Sequence, residues 1–255
     1  MRLAVILDPR SFLRFSSALV RSIPAAVRSK GLGAAYRAMW GHETTFRIGR
    51  RRIVLPGRWF GYAAEIYARR VYTWFPGFGI RPTDVVVDLG AAGGVFSVLA
   101  GSLGKRVIAV EAEGESVRAL EANVAMNRLS NVEVVRGVVG GDAGLLSRPG
   151  ASGSPSPRVS FGELLSRFGV PTVDFLKVDI EGSEFDLFFN RNEWLPRVRR
   201  IAMEVHTEFG DPDSLRSLLE SNGFRVRLVD LNQRTVPRIS GDAGYLFAER
   251  NAAGV

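Results

Sequence analysis

The stretch that most restricts the fold is VVVDLGAAGGVFSVLA, residues 85–100. Its apolar start predicts a buried strand ending near Asp88, and VFSVLA predicts a helix that begins after three glycines. A strand joined to a helix by a short glycine-rich turn is typical of a strand–helix–strand unit whose turn binds a ligand. We therefore predict an α/β domain with a ligand site at this turn.

Apolar segments of strand length and amphipathic segments of helix length alternate from residue 83 to residue 255. This alternation predicts a Rossmann-like, seven-stranded, mostly parallel sheet with helices on both faces. The last two strands are joined only by a loop, so we expect one of them to run antiparallel, as a hairpin at the edge. The predicted strands are Val85–Asp88, Arg106–Glu111, Val132–Val135, Phe175–Asp179, Arg200–Val205, Arg225–Asp230 and Tyr245–Glu249, and the predicted helices are Val95–Gly101, Glu115–Met126, Phe161–Phe168, Glu184–Phe189 and Asp213–Ser221.

Residues 1–82 form a basic N-terminal extension with 15 Lys/Arg against 3 Asp/Glu, whereas the remainder is slightly acidic. Its pattern predicts one or two helices within 11–40, a hairpin over 44–56 and a helical stretch over 60–75. We expect the extension to act as a lid or a homodimer contact. The arginine surplus is explained either by a GC-rich genome or by an anionic substrate, membrane surface or nucleic acid, and without a zinc or RNA-binding motif no nucleic-acid partner is expected.

The composition excludes several kinds of protein. There is no cysteine among the 255 residues, so disulfides and thiolate metal sites are excluded. No uninterrupted apolar stretch reaches the roughly 18 residues of a membrane-spanning helix, and the first residues do not resemble a secretory signal. We expect a cytoplasmic protein without a membrane span. The stretch 147–158 has the composition of a mobile loop.

The glycine turn does not follow the dinucleotide-binding pattern, because Ala92 and Val95 occupy positions where G-x-G-x-x-G requires glycine. A carboxylate at Asp88 suits a cationic ligand, and Glu111 at the end of the next strand is placed to accept both hydroxyls of a ribose. A ribose, a positive end and no phosphate describe S-adenosylmethionine. The predicted cofactor-binding residues are Asp88, Gly90, Ala91, Ala92, Gly94, Glu111, Ala112, Val138 and Asp179.

Four segments together resemble the FkbM family of S-adenosylmethionine-dependent methyltransferases: VVVDLGAAGGVFSVLA, VIAVEAEGESVRALEANVAMNRLSNVEVV, VDFLKVDIEGSEFDLF and RRIAMEVH. LKVDIEGSE is the most specific of them, and the resemblance extends from about residue 60 to residue 250. It implies methylation of hydroxyl groups, often on polyketides or sugars in secondary metabolism. The sequence departs from the family at Ala92, where members usually carry asparagine.

An aliphatic alcohol must lose its proton as the methyl group is transferred, so we expect a base near the cofactor. His206 is the predicted general base, because it follows the strand IAMEV. Asp179 and Glu181 are the other predicted catalytic residues, and Glu204 is expected to orient His206 or to pair with Lys177. Glu184 is expected to be a solvated charge at a helix start. The alternative is a magnesium site formed by Asp179, Glu181, Glu204 and His206.

Acceptor binding is predicted for Trp40, Tyr62, Glu65 and Tyr67, with Tyr72 as a further candidate, because an extension of this kind often covers the open end of the sheet. The predicted function is O-methylation of a hydroxylated small molecule. Two alternatives stay open: methylation of nitrogen or of a carboxylate, and a non-catalytic binding module with a methyltransferase fold.

Overall fold

The computed structural model describes residues 6–17, 39–140, 156–190 and 192–251. Two short strands, β1 (Glu43–Ile48) and β2 (Arg51–Pro56), form a hairpin as predicted. The remaining strands are β3 (Val85–Leu89), β4 (Arg106–Glu111), β5 (Val132–Arg136), β6 (Phe175–Val178), β7 (Arg200–His206), β8 (Phe224–Val229), β9 (Thr235–Val236) and β10 (Ala243–Arg250). They form one sheet in the order β5-β4-β3-β6-β7-β10-β8-β9.

From β3 to β8, helices alternate with strands along the chain, as predicted. Helix α1 (Phe60–Ala63) continues as a π-helical turn over Ala64–Arg69. The others are α2 (Val95–Leu103), α3 (Gly114–Met126), α4 (Phe161–Arg167), α5 (Glu184–Phe189) and α6 (Pro212–Ser221). Strands β3 to β7 are parallel to one another, so the predicted Rossmann-like fold with a mostly parallel sheet is confirmed.

The core lies on both faces of the sheet because successive residues of a buried strand point in opposite directions. Val87 and Leu89 of β3 pack with α4, α5 and α6 on one face. Val86 packs on the other face with Phe96 of α2 and Phe175 of β6. The uninterrupted apolar run before the glycine turn is therefore explained by burial on both faces.

Three details differ from the sequence prediction. The helical stretch expected over 60–75 ends at Arg69, because Arg70 adopts a left-handed conformation with φ of 61°. The sheet has eight strands rather than seven, since the loop before the last strand contributes the two-residue β9. The antiparallel strand β10 lies between β7 and β8 and not at the edge.

The extension packs against the sheet's helices through the hairpin. The Asn127 side chain accepts a hydrogen bond from the Val54 amide at 2.8 Å and donates one to the Val54 carbonyl at 2.7 Å. Residues 9–17 are helical; the rest of the predicted helical region, 18–38, and residues 147–155 of the predicted loop lie outside the described residues. Among the described residues, no helix has the length and apolarity to cross a membrane.

Candidate active site at the ends of the parallel strands

A cavity of about 200 Å³ opens at the carboxyl ends of β3, β4 and β6. Its walls include the glycine turn after β3, Glu111 at the end of β4, and Asp179 directly after β6. Ligands of open parallel sheets bind at this edge, where the connections on the two sides of a central strand diverge. The cavity is therefore the candidate active site.

The glycine turn brings bare backbone to the cavity. Gly90 has φ of 73°, and a Cβ atom there would overlap the carbonyl oxygen of Asp179, so only glycine fits. Gly90 and Ala92, two of the predicted cofactor-binding residues, line the cavity. Gly94 and Ala91 are not among its lining residues; Gly94 instead lies against Leu120 of α3, where a side chain would collide. These two residues serve the packing of the turn.

Glu111 is held by the turn it faces. One carboxylate oxygen accepts a hydrogen bond from the Ala92 amide at 2.7 Å, and the other accepts one from the Glu113 amide at 2.8 Å. Burial raises the pKa of Glu111, although these amides and Lys177 favour its ionised form. Each oxygen keeps a free lone pair, so the carboxylate is oriented to accept two further hydroxyl groups.

The predicted role of Asp88 is wrong. Its side chain is fully buried, lies 3.1 Å from the Lys177 ammonium and accepts a hydrogen bond from Ser97 at 2.6 Å. Lys177 also donates to the carbonyl of Gly90 at 2.7 Å. The carboxylate therefore cannot reach a ligand and holds the cation that fixes the glycine turn.

Some aromatic residues of the extension line the cavity, whereas others are buried in the core. Tyr62, which is half exposed, lines the cavity, as does Trp59, which the sequence analysis did not single out. The Trp59 ring lies against Gly93, where any side chain would collide with it. Tyr67 is buried and donates to the Val95 carbonyl at 2.8 Å, so its predicted contact with the acceptor is wrong.

Two further predicted acceptor residues do not line the cavity. Glu65 forms an ion pair with Arg69 at 3.0 Å, one helical turn along the chain. Trp40 is mostly exposed. The cavity wall thus includes one of the four predicted acceptor residues, Tyr62.

One tyrosine hydroxyl connects two carboxylates beside the cavity. Tyr72 lies 2.9 Å from Oδ2 of Asp179 and 3.2 Å from Oε2 of Glu204, and its ring is buried. Burial and the charge of Asp179 raise the pKa of Glu204 to about 7, although His206 and the Tyr72 hydroxyl act in the opposite direction. A carboxyl group with a pKa near neutrality is suited to accept a proton.

His206 is in a different electrostatic setting from the one predicted. Its Nδ1 lies 3.1 Å from Glu184, which is fully buried rather than solvated, and its Nε2 lies 3.6 Å from Glu181. Burial lowers the pKa of His206, but Glu184, Asp179 and Glu181 outweigh that effect and raise it to about 9. An imidazole with so high a pKa is mostly protonated at neutral pH, so these neighbours favour a cationic His206 over the base predicted from the sequence.

The four predicted magnesium ligands do not form a recognisable metal site. Among the described residues, no three or more His, Asp or Glu side chains form a group that could hold a metal ion. His206 is engaged by Glu184, and Glu204 is engaged by Tyr72. The magnesium alternative is therefore not supported.

The fold is Rossmann-like, and its cavity lies at the edge of the parallel sheet where ligands of this fold bind. The family model described as the methyltransferase FkbM domain matches residues 88–226, more than half of the chain. The chain therefore belongs to the FkbM methyltransferase family and is an S-adenosylmethionine-dependent methyltransferase.

Solved structures with a similar fold include two methyltransferases. Precorrin-6y C5,15-methyltransferase from Geobacter metallireducens is 16% identical over 68% of this chain and 82% of its own, with a TM-score of 0.43. A putative methyltransferase from Streptococcus mutans, solved with S-adenosylhomocysteine, is 11% identical over 68% of this chain and 91% of its own, with a TM-score of 0.45. No curated protein sequence matches this chain.

Proposed function

We propose that this chain transfers the methyl group of S-adenosylmethionine to a hydroxyl group of a small-molecule acceptor. The observation that carries the proposal is the pair of carboxylates joined through Tyr72: Asp179 lines the cavity, and Glu204 lies beside it. A hydroxyl acceptor must release a proton when its oxygen is methylated, and a proton acceptor at the reacting edge meets that need.

The cavity supplies contacts that suit the methyl donor. Glu111 is placed to accept the ribose hydroxyls, and the backbone of Gly90 and Ala92 leaves room for the methionine part. Ala112 and Val138 are apolar lining residues suited to an adenine ring. Asp179 lines the cavity and directly follows β6, the strand that pairs with β3 before the glycine turn. At this position its carboxylate can attract the donor's amino group. When bound, the donor supplies an electrophilic methyl group, and the protein positions the acceptor behind it.

The charges at the site favour Asp179 and Glu204 over His206 as the proton acceptor. His206 is held as a cation by Glu184, so its function is to balance the negative charge of the surrounding acids. Glu181 is half exposed at the cavity and is available to a polar acceptor. Tyr62 and Trp59 place the extension over the same opening, which supports its proposed function as a lid.

Methyl transfer tests the proposal directly. The purified chain would be incubated with methyl-labelled S-adenosylmethionine and a panel of hydroxylated metabolites, with the position of the methyl group determined by NMR. We expect an O-methyl product, a decrease in kcat of about 10²- to 10⁴-fold in Glu204→Gln, and a decrease of less than tenfold in His206→Gln. Methylation at nitrogen, or an unaffected Glu204→Gln variant, would contradict the proposal.

Calorimetry separates the enzyme from a non-catalytic module with the same fold. We expect both S-adenosylmethionine and S-adenosylhomocysteine to bind the chain. The absence of binding at millimolar concentrations of either ligand would rule out the enzyme.

A further inference from the structure

The hydroxyl of Tyr72 is shared by two acids on neighbouring strands. A phenol has one proton to donate, so it can hydrogen-bond fully to only one of Asp179 and Glu204 at a time. When both acids are ionised, one of them faces the phenol oxygen without a donor. One additional proton, bound to Glu204, completes a chain of hydrogen bonds: Glu204 then donates to Tyr72, and Tyr72 donates to Asp179.

The charged groups around Glu204 determine whether it keeps that proton. Asp179 and Glu65 favour the protonated form of Glu204, and the cation at His206 favours the ionised form. Tyr245 lies directly opposite Glu204 on β10. Lys177 lies 3.7 Å from Oδ2 of Asp179, the oxygen that Tyr72 also contacts. The titratable and charged groups around the Glu204 carboxyl and its hydrogen-bond chain are Asp179, Tyr72, His206, Glu65, Tyr245 and Lys177.

Asp179 belongs both to this chain of hydrogen bonds and to the wall of the cofactor cavity. Any charge that a ligand brings into the cavity therefore acts on the proton shared by Glu204 and Tyr72. S-adenosylmethionine carries a positive sulfonium, whereas the sulfur of S-adenosylhomocysteine is neutral. The donor and its product thus differ by one positive charge beside this chain of hydrogen bonds.

We propose that Glu204, Tyr72 and Asp179 form a proton relay that the methyl donor itself switches on, because its positive charge expels the stored proton before the acceptor reacts. This inference rests on the proposed function. When Glu204 has lost its proton, the relay can accept the proton of the methyl acceptor. When Glu204 still holds its proton, the relay cannot accept another. The protein thereby couples readiness for chemistry to the presence of the donor.

The proton balance of the transfer follows from the hydrogen bonds. As the acceptor oxygen bonds to the methyl carbon, the carbon–sulfur bond breaks and its electron pair remains on sulfur. The acceptor's proton passes to Asp179, while Tyr72 accepts a proton from Asp179 and gives its own to Glu204. Tyr72 stays neutral throughout, in agreement with a pKa that burial, Asp179 and Glu204 raise well above its usual value. The neutral product leaves the proton on Glu204.

Calorimetry with two commercially available ligands tests the relay without knowledge of the acceptor. Binding heats of S-adenosylmethionine and S-adenosylhomocysteine to the full chain would be measured at pH 7 in buffers of different ionisation enthalpy, which gives the number of protons released. A positive charge brought into the cavity beside Asp179 lowers the pKa of Glu204. Since burial and Asp179 raise that pKa to about 7, we expect the donor to release a fraction of a proton more than the product at this pH.

Three variants assign that difference to the relay. Glu204→Gln should remove the part of the difference that comes from Glu204, and any difference left in this variant measures the protons exchanged by the ligands' own amino groups. Tyr72→Phe removes a hydrogen bond that stabilises ionised Glu204, so the pH of maximal release should move upward. Tyr67→Phe removes a buried hydroxyl outside the relay and should leave the release unchanged.

Each outcome decides between the claims. Equal proton release by the two ligands, or a difference of the same size in Glu204→Gln as in the wild-type chain, would overturn the relay while leaving the methyltransferase proposal intact. Failure of both ligands to bind would overturn the proposed function itself. If Glu204→Gln does not fold, as judged by circular dichroism, the pH shift in Tyr72→Phe decides, and an unshifted maximum would overturn the relay.

Discussion

The ammonium of Lys177 lies 3.1 Å from Oδ1 of Asp88, and both side chains are almost completely buried. The two residues are direct neighbours in the register of β3 and β6. The burial of Lys177 lowers its pKa, but the charges of Asp88 and Asp179 and the hydrogen bond to Asp88 outweigh that effect and raise the pKa above its usual value. This ion pair joins the glycine turn to the strand that carries Asp179.

Removing one partner of this pair should be far more damaging than removing both charges. We expect Lys177→Met to decrease the free energy of unfolding by about 3–5 kcal/mol, because it leaves Asp88 charged in the core. The double variant Asp88→Asn/Lys177→Met should recover at least half of that loss, since no buried charge remains. Urea denaturation measures both, and equal stability of the single and double variants would contradict this account.

Ala92 adopts a conformation that favours asparagine or glycine, with φ of 47°. A left-handed alanine costs about 1–2 kcal/mol, and asparagine tolerates this region better. Ala92→Asn should therefore increase the free energy of unfolding by about 0.5–1 kcal/mol. Ala91→Gly is the matched control, because Ala91 has a negative φ; it should destabilise the chain by a similar amount. Thermal unfolding of both variants checks the opposite signs.

Most of the fold was predictable because alternating apolar and amphipathic segments leave few arrangements. Strand β10 was misplaced at the edge because its position is set by long-range pairing with both β7 and β8, which no local pattern encodes. The end of the helix at Arg69 was missed for a related reason, since an arginine in the left-handed region carries no sequence signal.

The candidate site was predictable by position but not by role. Glu111 and Asp179 were found because they end strands at the ligand-binding edge. The role of Asp88 was wrong because Lys177, a buried cation in the apolar strand FLKV that requires a partner, was expected to pair with Glu204, whereas it pairs with Asp88. The effect of Glu184 on His206 depends on a turn between β6 and α5 whose shape the sequence does not reveal.

Glu111 should control the affinity for the cofactor without controlling the fold. In Glu111→Gln we expect a 10- to 100-fold increase in the Kd of S-adenosylhomocysteine, because an amide cannot accept from both ribose hydroxyls while also accepting from two backbone amides. Glu113→Gln is the matched control, since Glu113 also lines the cavity, but its carboxylate accepts a hydrogen bond from Ser116, which a glutamine oxygen can also accept. Calorimetry measures both, and equal losses would contradict the role of Glu111 in ribose binding.

His206 should make the stability of the protein depend on pH. Its folded-state pKa of about 9 exceeds the usual unfolded value of 6.5, so the protonated form stabilises the fold. This contribution is fully present below pH 6.5 and is lost as the pH rises through 9. We expect a loss on the order of 1–2 kcal/mol across that interval, after allowance for solvent screening.

The His206→Gln variant isolates this contribution. The difference in unfolding free energy between the wild-type protein and His206→Gln should be largest near pH 6 and should shrink towards pH 9.5. Urea denaturation at several pH values measures that difference, and an NMR titration of the imidazole gives the pKa directly. Glu184→Gln removes the acid that holds His206 protonated, so its imidazole should titrate closer to pH 7. A wild-type imidazole that titrates below pH 7 would contradict the assignment and restore His206 as a candidate base.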